Sequence, residues 1–285
     1  MLKKGDKIGI CACSNALGGN GREQIGVLEK VLGRLSLTPV YSPCLYGQGT
    51  VFSGMAQQRA DALLELYRDD SVRAIFDVSG GDLANEILDY LDYEVISSHP
   101  KPFWGYSDIT AILNALYAKT GAVSGLYQLR NLTGADAPGQ QQRFFRSVLE
   151  GKDELYRVQW DFLQGDSMNG VVIGGNIRCF LKLAGTPYLP DFAGKILFLE
   201  SRSGGADRIA ACLAQLRQIG AFSKISGLLL GTFSQMEKTG EKPSVPELVL
   251  RAVKNPCLPI AVTSQVGHGA DSRCLLIGKE YRIET

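Results

Sequence analysis

Histidine is nearly missing from this chain: there are two in 285 residues, His99 and His268. Any chemistry that needs an imidazole must use one of them. No Cys-x-x-Cys pair occurs, and the closest approach to zinc-ligand spacing is Cys11-x-Cys13, which reads as two strand residues. The seven cysteines are odd in number and scattered, which fits buried free thiols in a reducing compartment better than a disulfide framework. No apolar run approaches the 18 or so residues of a membrane span. The first residues have two lysines but no apolar stretch or small-residue cleavage site, so a cytoplasmic protein is expected. A formal net charge of +1 gives no electrostatic footprint for nucleic acid or an anionic membrane. Gly18-Gly19-Asn20-Gly21 does not match Gly-x-Gly-x-x-Gly, and no acidic ribose-binding residue stands out, which argues against a dinucleotide. There is no internal repeat and no low-complexity tract.

What is present is an ordinary globular composition, 45% hydrophobic and 21% charged, in a chain long enough for two domains. Apolar runs at 7–13, 39–41, 72–78 and 102–105 alternate with helical spacing at 25–35, 57–67, 83–91 and 108–120. This alternation predicts a parallel sheet covered by helices on both faces, with ligands at the carboxyl ends of its strands. A polar, turn-rich stretch over 131–166, with a helix at 143–149, reads as a domain connection. That puts an N-terminal α/β domain at 1–150 and a smaller, β-rich C-terminal domain at 165–285. The second half has strand-like runs at 170–174, 195–199, 227–231, 258–262 and 275–277, and one clear helix at 207–219. A mobile loop is expected over 235–246, where charged residues, glycine and two prolines cluster.

The strongest local signal is the run from Lys101 through Gly105-Tyr106-Ser107-Asp108 into Ile109, Ile112, Leu113 and Leu116. A serine on a strand-to-helix turn is exposed above the sheet, beside free N–H groups and the positive end of the helix dipole. An ordinary helix cap accounts for the same residues, and the last glycine of Gly-x-Ser-x-Gly is missing. Asp108, in the first helical turn, is explained by capping and the dipole. A nucleophilic serine needs a base. His99 lies in a polar turn and reads as a surface residue, whereas His268 follows an apolar run and is flanked by glycines. Glu200 ends the run 195–200, where it can orient a histidine or simply face solvent. Gly80-Gly81 ends the strand 72–78 and can let a substrate close to the backbone, or can be a plain tight turn. Gly174-Gly175-Asn176 reads as a turn and helix that pack the second domain onto the site.

Phe103-Trp-Gly-Tyr-Ser-Asp-Ile-Thr-Ala, Gly174-Gly-Asn-Ile, Gly185-Thr-Pro-Tyr-Leu-Pro-Asp-Phe, Gly194-Lys-Ile-Leu-Phe-Leu-Glu200 and Gly267-His268 together resemble the murein LD-carboxypeptidases and the related microcin C self-immunity peptidases. The resemblance implies a Ser–Glu–His triad of Ser107, Glu200 and His268. It also implies an oxyanion hole from the N–H groups of Gly81 and Asp108, with Gly80 and Tyr106 beside the substrate. A flavodoxin-like N-terminal domain, a β-rich C-terminal domain, a site at their junction and a homodimer come with it. The scheme calls for no metal and no cofactor. The partner is a small peptide: a muropeptide that loses D-alanine, or a peptidyl-nucleotide antibiotic. A non-catalytic binding module is the third reading. Ser79-Gly-Gly-Asp-Leu stands where the carboxypeptidase branch has Arg-Gly-Gly-Tyr-Gly, and Glu200-Ser-Arg-Ser-Gly204 where it has Glu-Asp-x-x-Glu. These changes leave the triad intact and alter its surroundings, and Asn85-Glu86-Ile-Leu leans toward the self-immunity branch.

Overall fold

Strands buried on both faces read as unbroken apolar runs, and in the computed structural model, which describes residues 1–285 except Gln48, such runs organise both halves. Among the described residues the strands are β1 Lys7–Cys11, β2 Thr38–Tyr41, β3 Val72–Asp77, β4 Phe103–Gly105, β5 Ser124–Leu126, β6 Asp161–Gln164, β7 Ser167–Asn176, β8 Ile196–Ser201, β9 Gly227–Phe233, β10 Ile260–Val262, β11 Leu275–Ile277 and β12 Glu280–Glu284. One six-stranded sheet has the order β11-β5-β4-β3-β1-β2 and the other β12-β7-β8-β9-β10-β6. The first is parallel from β2 to β5 and closes with antiparallel β11. Its order reverses direction between β1 and β3, the switch point at which doubly wound sheets hold ligands. The second is parallel through β7, β8, β9 and β10 and has antiparallel edges, β12 and β6. Both sheets carry flanking helices, and this two-domain α/β architecture is the predicted class. β11 comes from the end of the chain yet completes the first sheet, and β6 precedes residue 165 yet belongs to the second.

The helix Thr110–Thr120 explains how the halves meet. Its residues from Thr110 through Leu116 are all buried, so it has no solvent face in its first two turns. It ends at Gly121, whose φ of +71° suits a left-handed helix terminator. Asn114, fully buried on this helix, donates from Nδ2 to the Gly174 carbonyl (2.8 Å) and accepts the Gly174 N–H on Oδ1 (2.8 Å). A second Nδ2 bond goes to the Thr110 carbonyl (2.8 Å). Thr110 Oγ1 accepts the Asn176 N–H at 3.0 Å. The helix comes so close that a Cβ on Gly175 would lie 2.5 Å from Thr110 Oγ1, and Gly175 itself sits at φ +138°. Around this contact one apolar cluster runs from Ile112 and Leu113 to Val172, Phe198 and Leu275. Asn114→Ala would leave both Gly174 backbone groups buried and unpaired. We expect a loss of about 2–4 kcal/mol of stability, at roughly 1–3 per orphaned group, measured by chemical denaturation.

The expected mobile loop at 235–246 is corrected by the structure. Residues Ser234–Thr239 form a helix ended by Gly240, and Val245–Val253 form another. Ser244 and Glu247 make a reciprocal capping box, and Pro246 stands in the first turn, where its missing N–H costs nothing. The prolines and charges there mark helix starts. Among the described residues no helix is long and apolar enough to cross a membrane.

Candidate active site

β4 delivers Ser107. Tyr106 is still extended, but Ser107 turns to φ +58°, one of three positive-φ residues other than glycine among those described. Left-handed backbone costs a residue with a Cβ about 1–2 kcal/mol. The turn is tight because a Cβ on Gly105 would lie 2.3 Å from the Ile109 side chain. Ile109 occupies the place of the missing last glycine, and it packs in the core at 0% exposure. Its side chain locks the helix onto the strand, which is the work a glycine at that place permits by other means.

Asp108 does not cap its own helix. Its fully buried carboxylate accepts the Ser14 hydroxyl (2.7 Å), the Ala84 N–H (2.8 Å) and the Lys182 ammonium (2.5 Å). The capping explanation is therefore corrected: Asp108 caps the short 3₁₀ helix Ala84–Tyr90 and ties it to both domains. Lys182 also donates to the Asp82 carbonyl (2.8 Å), so the paired-glycine turn is held from the C-terminal side. On its other side, Asn15 Oδ1 accepts the Asp82 N–H (2.9 Å) and the Asn15 N–H reaches Gly80 O (3.3 Å). Gly81 has φ +128°, and a Cβ there would lie 2.2 Å from Asn15 Cγ, so the position admits glycine alone. A Cβ built on Gly80 would stand 4.0 Å from Ser107 Oγ, which puts this turn against the serine.

From the second sheet come Glu200 and His268. β8 pairs with β7 so that Glu200 lies opposite Asn176. Glu200 is fully buried, not a strand-end carboxylate facing water. Its Oε2 accepts from His268 Nδ1 at 2.7 Å and its Oε1 from Asn176 Nδ2 at 3.0 Å. With Nδ1 facing a carboxylate, the imidazole's proton belongs on Nδ1 and Nε2 is left as the acceptor. Nε2 is buried and has no hydrogen-bond partner among the described residues, Ser107 included. Bonds of this kind are often long until substrate binds.

The His268 loop is pinned closely. A Cβ on Gly267 would overlap Thr232 Oγ1 at 1.6 Å, and the Gly267 N–H donates to Ser272 Oγ at 3.1 Å. Buried Gln140 reaches across from the first domain, donating to the Ala270 and Ser272 carbonyls (2.8 and 2.9 Å) and accepting from the Tyr127 hydroxyl (2.9 Å). The Tyr106 ring meets the imidazole edge-on with centroids 4.8 Å apart. Burial, and after it the Glu200 carboxylate, pushes the Tyr106 phenol well above its ordinary pKa.

Ser107, His268, Gly80, Gly81 and Tyr106 all line one cavity of about 650 Å³ at the carboxyl ends of both sheets, and Glu200 stands behind His268. The predicted residues are thus brought to one place. His99 lies apart, bonded to its own helix through Val95 O (3.1 Å). Cys11 and Cys13 are buried in the core of the first sheet, and burial raises the Cys11 thiol well above its ordinary value. Their neighbour Asp77 spends its carboxylate on the Cys13 N–H (2.7 Å) and on Ser79. Four residues went unread as site residues: Asn176 and Gln140, which hold Glu200 and the His268 loop, and Arg130 and Arg202, which line the cavity. Asn176 carried a signal in the Gly174-Gly-Asn run and Arg202 in the Glu200-Ser-Arg-Ser run, whereas Gln140 and Arg130 carried none.

A two-sheet α/β chain with this Ser/His–Glu arrangement is matched by models of the LD-carboxypeptidase N-terminal domain over residues 8–128 and the LD-carboxypeptidase C-terminal domain over 169–283. The chain belongs to this family of peptidases. It is 27% identical to the murein tetrapeptide carboxypeptidase of Pseudomonas aeruginosa, across 81% of this chain and 79% of that one. It is 25% identical to the microcin C7 self-immunity protein MccF of Escherichia coli, across 81% and 77%. Among solved structures, an MccF-like protein from Bacillus anthracis superposes with a TM-score of 0.86 at 26% identity, covering 100% of this chain and 95% of that one.

Proposed function

We propose that this protein is a serine peptidase that releases the C-terminal D-alanine of cytoplasmic muropeptides through an acyl-enzyme. The observation that carries it is the 2.7 Å Glu200–His268 bond, which leaves an unpartnered Nε2 in the cavity that also holds Ser107 on its strained turn. In this reading the Ser107 proton passes to Nε2 as Oγ bonds to the scissile carbonyl carbon. The tetrahedral oxyanion is held by the N–H groups of Gly81 and Asp108. On collapse the C–N bond breaks and the imidazolium gives its proton to the leaving amine. Water then attacks the ester, loses a proton to His268, and Ser107 departs with that proton. Gly80 and Tyr106 bound the substrate.

The test is a defined L,D-tetrapeptide muropeptide followed by mass spectrometry, with loss of one alanine as the expected product. Tripeptide product absent from an active, folded preparation would remove the murein reading. The second reading, cleavage of a peptidyl-nucleotide, is supported by the likeness to the self-immunity protein. Hydrolysis of a peptidyl-adenylate mimic and not of the tetrapeptide would select it. A non-catalytic binding module predicts that Ser107 stays unlabelled by a fluorophosphonate.

A further inference from the structure

Among the described residues, those lining the catalytic cavity include two arginines, Arg130 and Arg202, and no aspartate or glutamate. Neither arginine has a carboxylate partner among the described residues. They come from different domains. Arg130 sits at the start of the 3₁₀ turn Leu129–Thr133, where Gln128 Oε1 accepts its backbone N–H at 3.2 Å and fixes the turn. Arg202 follows Glu200 by two residues, just past the end of β8.

Arg130 is not a solvated surface cation. It is half-buried, and its Nε is buried with no hydrogen-bond partner among the described residues. Burial pushes its pKa down; the Asp77 charge opposes that shift, and the Arg202 charge adds to it. A guanidinium donor buried without an acceptor costs folding energy, and two like charges facing one cavity cost more. An anion delivered between them removes both costs. The guanidinium fork matches the two oxygens of a carboxylate, which it can take in a bidentate bond.

We propose that Arg130 and Arg202 form the carboxylate clamp of this enzyme, holding the free C-terminal carboxylate of the residue that is released. The proposal rests on the peptidase reading above. The chemistry fits that reading: when a single C-terminal residue is removed, its carboxylate carbon lies only two bonds from the leaving nitrogen. The charge to be recognised is therefore inside the same cavity as the scissile amide. Such a clamp would make the enzyme an exopeptidase, since a chain continuing past the scissile bond offers no anion there and leaves the buried Arg130 Nε unpaired.

The experiment compares two substrates with the same scissile bond: the tetrapeptide with a free C-terminal carboxylate, and the same peptide ending in a carboxamide. The wild type is expected to favour the acid by about 10²-fold or more in kcat/KM, on the scale of sites built to bond a group that the analogue lacks. Arg130→Gln is expected to lower the acid far more than the amide, bringing the ratio to within about tenfold of unity, and Arg202→Gln to act in the same direction. Because each ratio is internal to one preparation, partial misfolding cancels from it. Equal use of acid and amide by the wild type overturns the clamp and leaves the peptidase reading standing. So does an unchanged ratio in Arg130→Gln. If neither peptide is cleaved, the murein reading fails on its own, and calorimetry of both peptides with the wild type decides the clamp. Acid-selective binding lost in Arg130→Gln supports it; equal binding, or none, overturns it.

Discussion

Ser107→Ala is expected to lower kcat by about 10⁴-fold or more, the scale seen when a triad nucleophile is lost, while the protein stays folded. The substitution deletes one oxygen from the cavity wall. The Ser107 hydroxyl supports no other group, since no hydrogen bond in the described structure depends on it. Alanine inherits the same φ of +58° and thus the same backbone cost. Ser107→Gly separates chemistry from stability. Glycine adopts that φ freely, so this variant should be at least as stable as Ser107→Ala, gaining back up to about 1–2 kcal/mol of the left-handed penalty. Its activity should be just as low. The measurements are steady-state turnover of the tetrapeptide and urea denaturation of the three proteins. An alanine variant that keeps turnover within tenfold of the wild type would remove Ser107 as the nucleophile. A glycine variant less stable than the alanine one would mean the strained turn is not where the cost lies.

The same strain marks the limit of what the sequence could reveal. The apolar runs of β1, β3, β8 and β9 were legible because both their faces are buried, which removes the polar alternation of a half-exposed strand. The edge strands β6 and β12 were not legible. β12 exposes only charged residues, Glu280, Arg282 and Glu284, and β6 is four residues with no buried position, exposing Asp161 and Leu163; the hydrogen bonds of both come from neighbours distant in sequence. His268 stood out through scarcity, since only two imidazoles were on offer. Glu200 did not stand out from its residues alone, because burial of a carboxylate depends on who meets it: Asn176 and His268, 24 and 68 positions away. The error over 235–246 has the same root. Proline and serine punctuate loops and helix starts alike, and only the bond from the Ser244 N–H to Glu247 (2.7 Å) distinguishes the two. Arg130 and Gln140 had no signal at all. Their meaning lies in what they face across the domain junction.

Glu200→Gln is expected to lower kcat by about 10⁴-fold, as for a triad acid turned into an amide, and the structure says why. Asn176 is itself oriented, because its Oδ1 accepts the Cys179 N–H (3.4 Å) and its Nδ2 is thereby turned to Glu200. A glutamine at 200 must then offer its carbonyl oxygen to Asn176 Nδ2, which leaves its NH₂ facing His268 Nδ1. The imidazole can answer that donor only by giving up the proton on Nδ1 and carrying it on Nε2. Nε2 becomes a donor, and Ser107 loses its base although no atom near the serine has changed. Adding Asn176→Asp reverses this logic. An aspartate at 176 presents an acceptor, draws the glutamine NH₂ toward itself and returns the glutamine oxygen to His268. The double variant should therefore recover about tenfold or more in kcat over Glu200→Gln, while Asn176→Asp alone, placing two carboxylates side by side, should be impaired. A single variant within tenfold of the wild type would remove Glu200 as the residue that sets the tautomer. A double variant no faster than Glu200→Gln would show that charge beside the imidazolium, and not the orientation imposed by Asn176, is what the glutamate supplies.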